Sequence, residues 1–567
     1  MEEGRRHRGV RSRRATAVRS RSPRVTTRHK IEAACAGTAF ATGDSSHNTV
    51  GALRKRLGLL EGDAELIERK ASRSTQTTRE GHPTSGTNIY GITHLSSGLL
   101  GTLHLATMSH LTLSMMELPD GCLGRLRVCG ALRKLSIVHC ARLKNIAMLS
   151  ALKSLEELSL RFSRHVKGVG GIEELPRLRV LDLSGTSVDC VSLRTVIKCT
   201  GLVRLILQSC ENVVDCFELA IMKTLEELDL TGTHRLSAYA MNVLSLPRLI
   251  ALRMDGTQVP PLTPLRCAST AITCLSIRYC RALRDARLVA SMSALEELDF
   301  YCCQRLSQGV ECLAVLPRLR SLNLGGTCIG DDALVALGNC PRAERLALAS
   351  CKLLTDVSPI RNIGTLEELD LSNCRGVAKG IEQLGKLPRL AVLNLERTGL
   401  TNESLVRVCE SKSIKKIVID SCADVTDIRP LVQVKGLVDV SVRDCGVGEL
   451  EACEFAELGS LRALALCHFE SARCSVPSFR GLEHLVRLTI HKSNSPLNAS
   501  VFACMKTLKE LRLADSALCG DLGPLGVLPC LRILDAGNTK VTDCHLRSLS
   551  KSVSIVELYL RHCECTD

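Results

Sequence analysis

From Met108 onward the apolar residues follow one recurring order, apolar-x-x-apolar-x-apolar. The order begins anew at Leu132, Leu155, Leu178, Leu202, Leu225, Leu249, Ile272, Leu295, Leu319, Ala343, Leu366, Leu390, Ile414, Leu437, Leu461, Leu485, Leu508, Leu531 and Ile555, giving twenty starts, each 23 or 24 residues after the last. The alternation inside each repeat predicts a short strand that turns its first, fourth and sixth residues inward. Its third, fifth and seventh residues then face solvent. The remaining dozen or so residues must return to the start of the next strand. Helical spacing at 192–198, 333–338 and 404–410, and the pair Ser358-Pro359, predict short helices or 3₁₀ turns in those returns.

Twenty in-phase matches carry the L-x-x-L-x-L-x-x-N/C-x-L signature of leucine-rich repeats. The expected fold class is α/β: a leucine-rich-repeat solenoid, with a curved parallel sheet on the concave face and short helices, 3₁₀ turns and loops on the convex face. The apolar surface of one repeat cannot offset the chain entropy of its own residues, so stability must come from neighbouring rungs. A second order lies above the first. L-P-R-L recurs at 175–178, 246–249, 316–319 and 387–390, at spacings of 71, 70 and 71 residues, so three repeats make one unit. In each unit an L-P-R-L repeat ending in Thr precedes a Cys-type repeat and then an L-E-E-L-D-L repeat.

Composition agrees with stacked aliphatic layers, since aromatics make up 2% of the 567 residues and Trp is absent. No run of eighteen apolar residues occurs, and the Arg-rich N-terminus lacks the apolar core of a secretory signal. An intracellular protein of cytoplasm or nucleus, with no membrane partner, is expected. The thirty cysteines are then expected to be reduced. The ninth repeat position holds Cys140, Cys210, Cys280, Cys303, Cys351, Cys374, Cys422, Cys445 and Cys563, and Thr186, Thr233, Thr257, Thr327, Thr398 and Thr539. Both side chains are small enough to turn inward and hydrogen-bond the backbone of the neighbouring rung, without disulfides. The closest spacings, Cys302-Cys303 and Cys563-x-Cys565, lack a matching His or Cys pair, so no metal or other cofactor is expected. With no P-loop, no dinucleotide fingerprint, no G-x-S-x-G and fifteen scattered His, enzymatic activity is not expected.

Recognition should be written on the exposed strand positions. Glu157, Asp182, Glu227, Asp229, Glu297, Asp299, Glu368, Asp370, Asp420 and Asp439 form a discontinuous acidic ladder there. Arg161, Arg253, Arg278, Tyr301, Arg345 and Arg443 interrupt it, with Phe162 and Tyr279 following at the eighth position. The inherited phrase L-E-E-L-D-L accounts for much of the acid as ordinary surface polarity. Arg and Tyr are different, because aromatics are scarce here and both types are enriched at binding hot spots. Arg253, Arg278, Tyr279 and Tyr301 fall in adjacent repeats and are expected to form one partner-binding patch with Glu297 and Asp299. A mixed-charge protein surface suits that patch better than nucleic acid. Arg345, farther along the face, is expected to lie outside it.

Residues 1–30 hold ten Arg and one Lys against two Glu, a net charge of +9. They read as a basic disordered tail that could contact nucleic acid. Residues 31–107 read as a transitional segment that could cap the first rung, and 108–567 as the solenoid of about twenty repeats. The chain stops shortly after its last strand, so a C-terminal cap is expected to be missing.

The phrases CKLLTDVSPI at 351–360, LEELDLSNC at 366–374 and CADVTDIRPL at 422–431 resemble the Cys-type leucine-rich repeats of trypanosomatid proteins. Members of the expression-site-associated type carry an N-terminal RING zinc finger, which implies ubiquitin transfer. Here Cys35 is the sole cysteine before Cys122, so no RING can be built. The leading expectation is a non-enzymatic protein-protein interaction scaffold that binds through its concave face. A substrate-recognition subunit of a ubiquitin ligase, or a nucleic-acid-associated protein anchored by the basic tail, are the alternatives.

Overall fold

In the computed structural model, residues 86–90 and 107–565 are described, apart from 120, 259–270, 447–454, 456, 468–480 and 494–496. The basic tail lies outside the described residues. Each repeat contributes one strand of three to five residues to the sheet, and every neighbouring pair is parallel. Leu369, for example, stands beside Leu346 on one side and Leu393 on the other. One further strand, Gly86–Tyr90, precedes the first repeat and pairs with His110–Ser114, which brings the sheet to 21 strands. It falls in the stretch read as transitional.

The alternation works as predicted. Leu366, Leu369 and Leu371 are at most 1% exposed, and the same three positions are buried in each rung from Met108 to Leu531, while in the last rung Leu558 is 41% exposed. The chain forms a leucine-rich-repeat solenoid, its sheet along one side and its returns along the other.

The returns obey a length rule. Repeats of 24 residues carry seven-residue α-helices at Cys190–Val196, Asp331–Leu337, Asn402–Val408 and Asp543–Leu549. They also carry long 3₁₀ segments such as Val310–Val315. Repeats of 23 residues have room for three to five residues, as at Ile172–Glu174 and Ser358–Asn362. The helices at 190–196 and 402–408 begin two residues before the segments predicted at 192–198 and 404–410, because Asp189 and Thr401 cap them by accepting from the N–H of Ser192 and Ser404.

Every described eighth position is left-handed, with φ between 51° and 73°. This swings the chain off the strand, so that the ninth side chain enters the core and its N–H closes on the sixth carbonyl, as Cys351 N does on Leu348 O at 3.2 Å. Gly185 and Gly326 suit this geometry, whereas Phe162 and Tyr279 adopt it at a cost of about 1 kcal/mol each.

The ninth-position cysteines behave as expected. Cys303 Sγ donates to Ile277 O at 2.9 Å, Cys374 to Leu348 O at 3.0 Å and Cys422 to Leu395 O at 3.1 Å, each bond crossing to the preceding rung. Burial pushes the Cys374 thiol up to about 12. The cysteines among the described residues are free thiols. The threonines correct the expectation, because their hydroxyls reach back three residues within their own rung. Thr398 Oγ1 donates to Leu395 O at 2.7 Å, the carbonyl that also receives Cys422. Thr327 and Cys351 share Leu324 O in the same way.

Candidate functional site

A parallel strand leaves its seventh N–H unpaired where the chain begins to turn. The fifth side chain supplies the acceptor. Asp182, Asp229, Asp299 and Asp370 take the N–H of Ser184, Thr231, Tyr301 and Ser372 at 2.8 to 2.9 Å, and Asn323 does the same for Gly325 at 3.0 Å. Where the fifth residue is the shorter Ser276 or Ser441, an Asp at the seventh position of the preceding rung replaces it. Asp255 accepts from Arg278 N, and Asp420 from Arg443 N, both at 2.9 Å. Asp420 is therefore no part of an exposed ladder, for it is 3% exposed and also holds the Arg443 guanidinium at 2.6 Å.

The third-position acids are largely spent as well. Lys134 pairs with Glu157 at 2.6 Å, Arg204 with Glu227 at 2.5 Å and Lys416 with Asp439 at 3.5 Å, each across one rung. The series breaks at Cys274, which stands beside Glu297 where these other rungs offer a cation. Its thiol lies 3.8 Å from Glu297 Oε2, and burial followed by that carboxylate raises its pKa. Glu297 is reached instead from the far side, by Arg345 at 3.3 Å.

At this break the arginine-tyrosine residues come together. The Arg278 guanidinium lies 5.5 Å from the Tyr279 ring centre and 5.2 Å from that of Tyr301. The two rings meet edge to face at 5.6 Å. Arg278 Nε stands 3.6 Å from Asp299 Oδ2, too far for a hydrogen bond, and is buried without one. Burial raises the Asp299 carboxyl in spite of the Tyr301 N–H and Arg278. The Tyr301 ring needs a glycine beside it, since a Cβ at Gly325 would come within 3.0 Å of its Cδ2. Tyr279 is 52% exposed.

The expected patch thus divides in two. Tyr279, Tyr301 and Arg278 form a rigid corner at the edge of the sheet. Arg253, Glu297 and Asp299 line, with Arg278, Cys274 and Arg345, a shallow hollow of about 650 Å³ on the open sheet face. Arg345 therefore belongs to this surface and cannot serve as a distant control. Cys274 was missed, and Arg345 was placed outside the patch, although the third-position series Arg204, Arg345, Lys416, Arg487 shows its gap at 274. Among the described residues no group of three or more His, Cys, Asp or Glu could hold a metal ion, and no helix is long and apolar enough to cross a membrane.

No family model matches the chain. It is 26% identical over 288 residues to a protein of Trypanosoma equiperdum named as an adenylate cyclase regulatory protein, covering 49% of this chain and 45% of that one. It is also 26% identical over 295 residues to an Arabidopsis thaliana protein named for disease resistance, covering 48% and 24%. The chain spans less than half the length of these curated relatives. Among solved structures, an internalin of Listeria monocytogenes is 20% identical at a TM-score of 0.45, covering 60% of this chain and 87% of that one. A leucine-rich-repeat protein of Leptospira interrogans is 17% identical at 0.43, covering 83% and 100%.

Proposed function

We propose that the protein is a non-enzymatic scaffold that binds a protein partner on its concave sheet face, anchored at the corner formed by Arg278, Tyr279 and Tyr301. The observation that carries this reading is Arg278 held against two tyrosine rings beside an open hollow in which Glu297 and Asp299 are already engaged. Tyr offers a rigid apolar face with a hydroxyl, and Arg offers a planar fork for carboxylates. Neither needs to be ordered on binding, which keeps the entropic cost low. The trypanosome relative, named for regulation, agrees with a role exerted by binding, and its similarity supports the resemblance to trypanosomatid Cys-type repeats.

The test is to purify the tagged protein from its own cells, identify what accompanies it, and measure that interaction with variants. Arg278→Ala and Tyr301→Ala should each weaken binding by about 2 kcal/mol or more with little change in melting temperature. Arg204→Ala, paired with Glu227 elsewhere on the face, is the control and should be near neutral. Equal, negligible effects at all three positions would place recognition elsewhere.

A further inference from the structure

The corner at Arg278 has a counterpart that the repeat order does not explain. Arg278-Tyr279-Cys280-Arg281-Ala282-Leu283-Arg284 matches Arg161-Phe162-Ser163-Arg164-His165-Val166-Lys167, an arginine, an aromatic, and cations three and six residues after the first. The geometry matches too. The Arg161 guanidinium lies 5.2 Å from the Phe162 ring centre, against 5.5 Å for Arg278 and Tyr279. Both aromatics sit at the left-handed eighth position, at φ of 58° and 56°. The Nε atoms of Arg161 and Arg278 are two of the four side-chain polar atoms that are buried without a hydrogen bond among the described residues. In each corner a second ring packs on the aromatic, His139 stacked at 4.7 Å on Phe162 and Tyr301 edge-on to Tyr279.

Duplication cannot have copied one corner from the other by the visible unit. The repeat at Leu155 belongs to the L-E-E-L phase and the repeat at Ile272 to the Cys phase, five rungs away in an array that repeats every three. Their equivalents in the same phases, Thr231-Gly232, Ser372-Asn373, Ala349-Ser350 and Asp420-Ser421, carry no such pair. Arginine-aromatic pairs with the same two following cations, standing at two out-of-phase rungs, point to a shared use.

The charge left free at both corners is positive. Arg164, Lys167, Arg281 and Arg284 are exposed, and no ion pair engages them among the described residues. On the face between the corners the acids outnumber the bases, with Asp182, Glu227, Asp229 and Asp255 against Arg204 and Arg253. That alternation disfavours a uniformly charged polymer such as a nucleic acid, whose backbone would cross the acidic stretch. Five rungs separate the corners by roughly 24 Å.

We infer that the two corners are paired anchors for one protein partner that presents two acidic segments about that far apart. This rests on the binding role proposed above and adds the partner's chemistry and spacing. The test uses the full chain and synthetic peptides carrying two blocks of two Glu, at about 0.15 M salt, with binding read by fluorescence anisotropy. A Gly/Ser linker of about 20 residues has a mean span close to 24 Å, whereas a single-residue linker leaves a five-residue peptide that extends to about 18 Å at most. The long-linker peptide should bind at least about tenfold tighter than a single block, and the short-linker peptide should gain no such advantage. Arg164→Glu with Lys167→Glu, or Arg281→Glu with Arg284→Glu, should each reduce the long-linker peptide to single-block affinity. These side chains are exposed, so circular dichroism should be unchanged. Equal affinity for one and two blocks would overturn the inference. So would tighter binding of a 20-nucleotide oligothymidine that the same substitutions abolish, which would assign the corners to nucleic acid. Loss with Arg278→Ala and Tyr301→Ala but not with Arg164→Glu and Lys167→Glu would leave the single-site scaffold standing and remove the second anchor.

Discussion

Asp299 shows how one residue serves the fold and borders the site at once. Its carboxylate takes the Tyr301 N–H and thereby fixes the ring that Arg278 rests on. Asn323 makes the same cap one rung later, so Asp299→Asn should preserve the turn, whereas Asp299→Ala should cost about 1 kcal/mol by stranding that N–H. The pH dependence separates charge from capping. Burial raises the Asp299 pKa, so the folded chain holds this proton more tightly than the unfolded one. Its contribution is then fully present below the ordinary value of 3.8 and is lost as pH rises through the higher folded value. Melting temperatures recorded from pH 3 to pH 7 should show the Asn variant gaining on the natural protein across that window. A constant difference would mean that Asp299 does not titrate there.

The strand and its corner divide the side chains into those that pack and those that tie one rung to the next. Leu395 O receives Thr398 from its own rung and Cys422 from the following one. Thr398→Val or Cys422→Ala alone leaves that buried carbonyl one side-chain donor, and each should cost about 0.5 to 1.5 kcal/mol. Together they should exceed the sum of the single effects by about 1 kcal/mol in a denaturation cycle, and strict additivity would refute the shared acceptor. The repeat period, the inward leucines and the inward cysteines were legible in the sequence because a strand's two faces follow from parity alone. The eighth-position corner was not, since Phe162, Tyr279 and Arg397 give no hint of a left-handed backbone. Nor was the pairing of Arg345 with Glu297, because reach across two rungs depends on side-chain length and on Cys274 leaving its place vacant of charge.

Across the described array, strand pairing joins each rung to its two neighbours and side-chain contacts such as Arg345 with Glu297 extend to two rungs, so stability should be local. Leu369 is 1% exposed in the middle of the sheet, and Leu369→Ala should cost about 2 to 5 kcal/mol. Hydrogen exchange should show protection lost in the repeats that begin at Ala343, Leu366 and Leu390, with those from Leu132 to Leu178 unaffected. Uniform loss would mean that the solenoid melts as one unit. The length rule for the returns has a genetic reading. A segment of whole rungs, such as 23 or 24 residues or a block of 70 or 71, can be gained or lost by recombination without interrupting the sheet, while a fraction of a rung leaves a strand out of register. Such a gene changes size in whole rungs, and each exchange between the two arginine-aromatic corners resets the distance a partner must span.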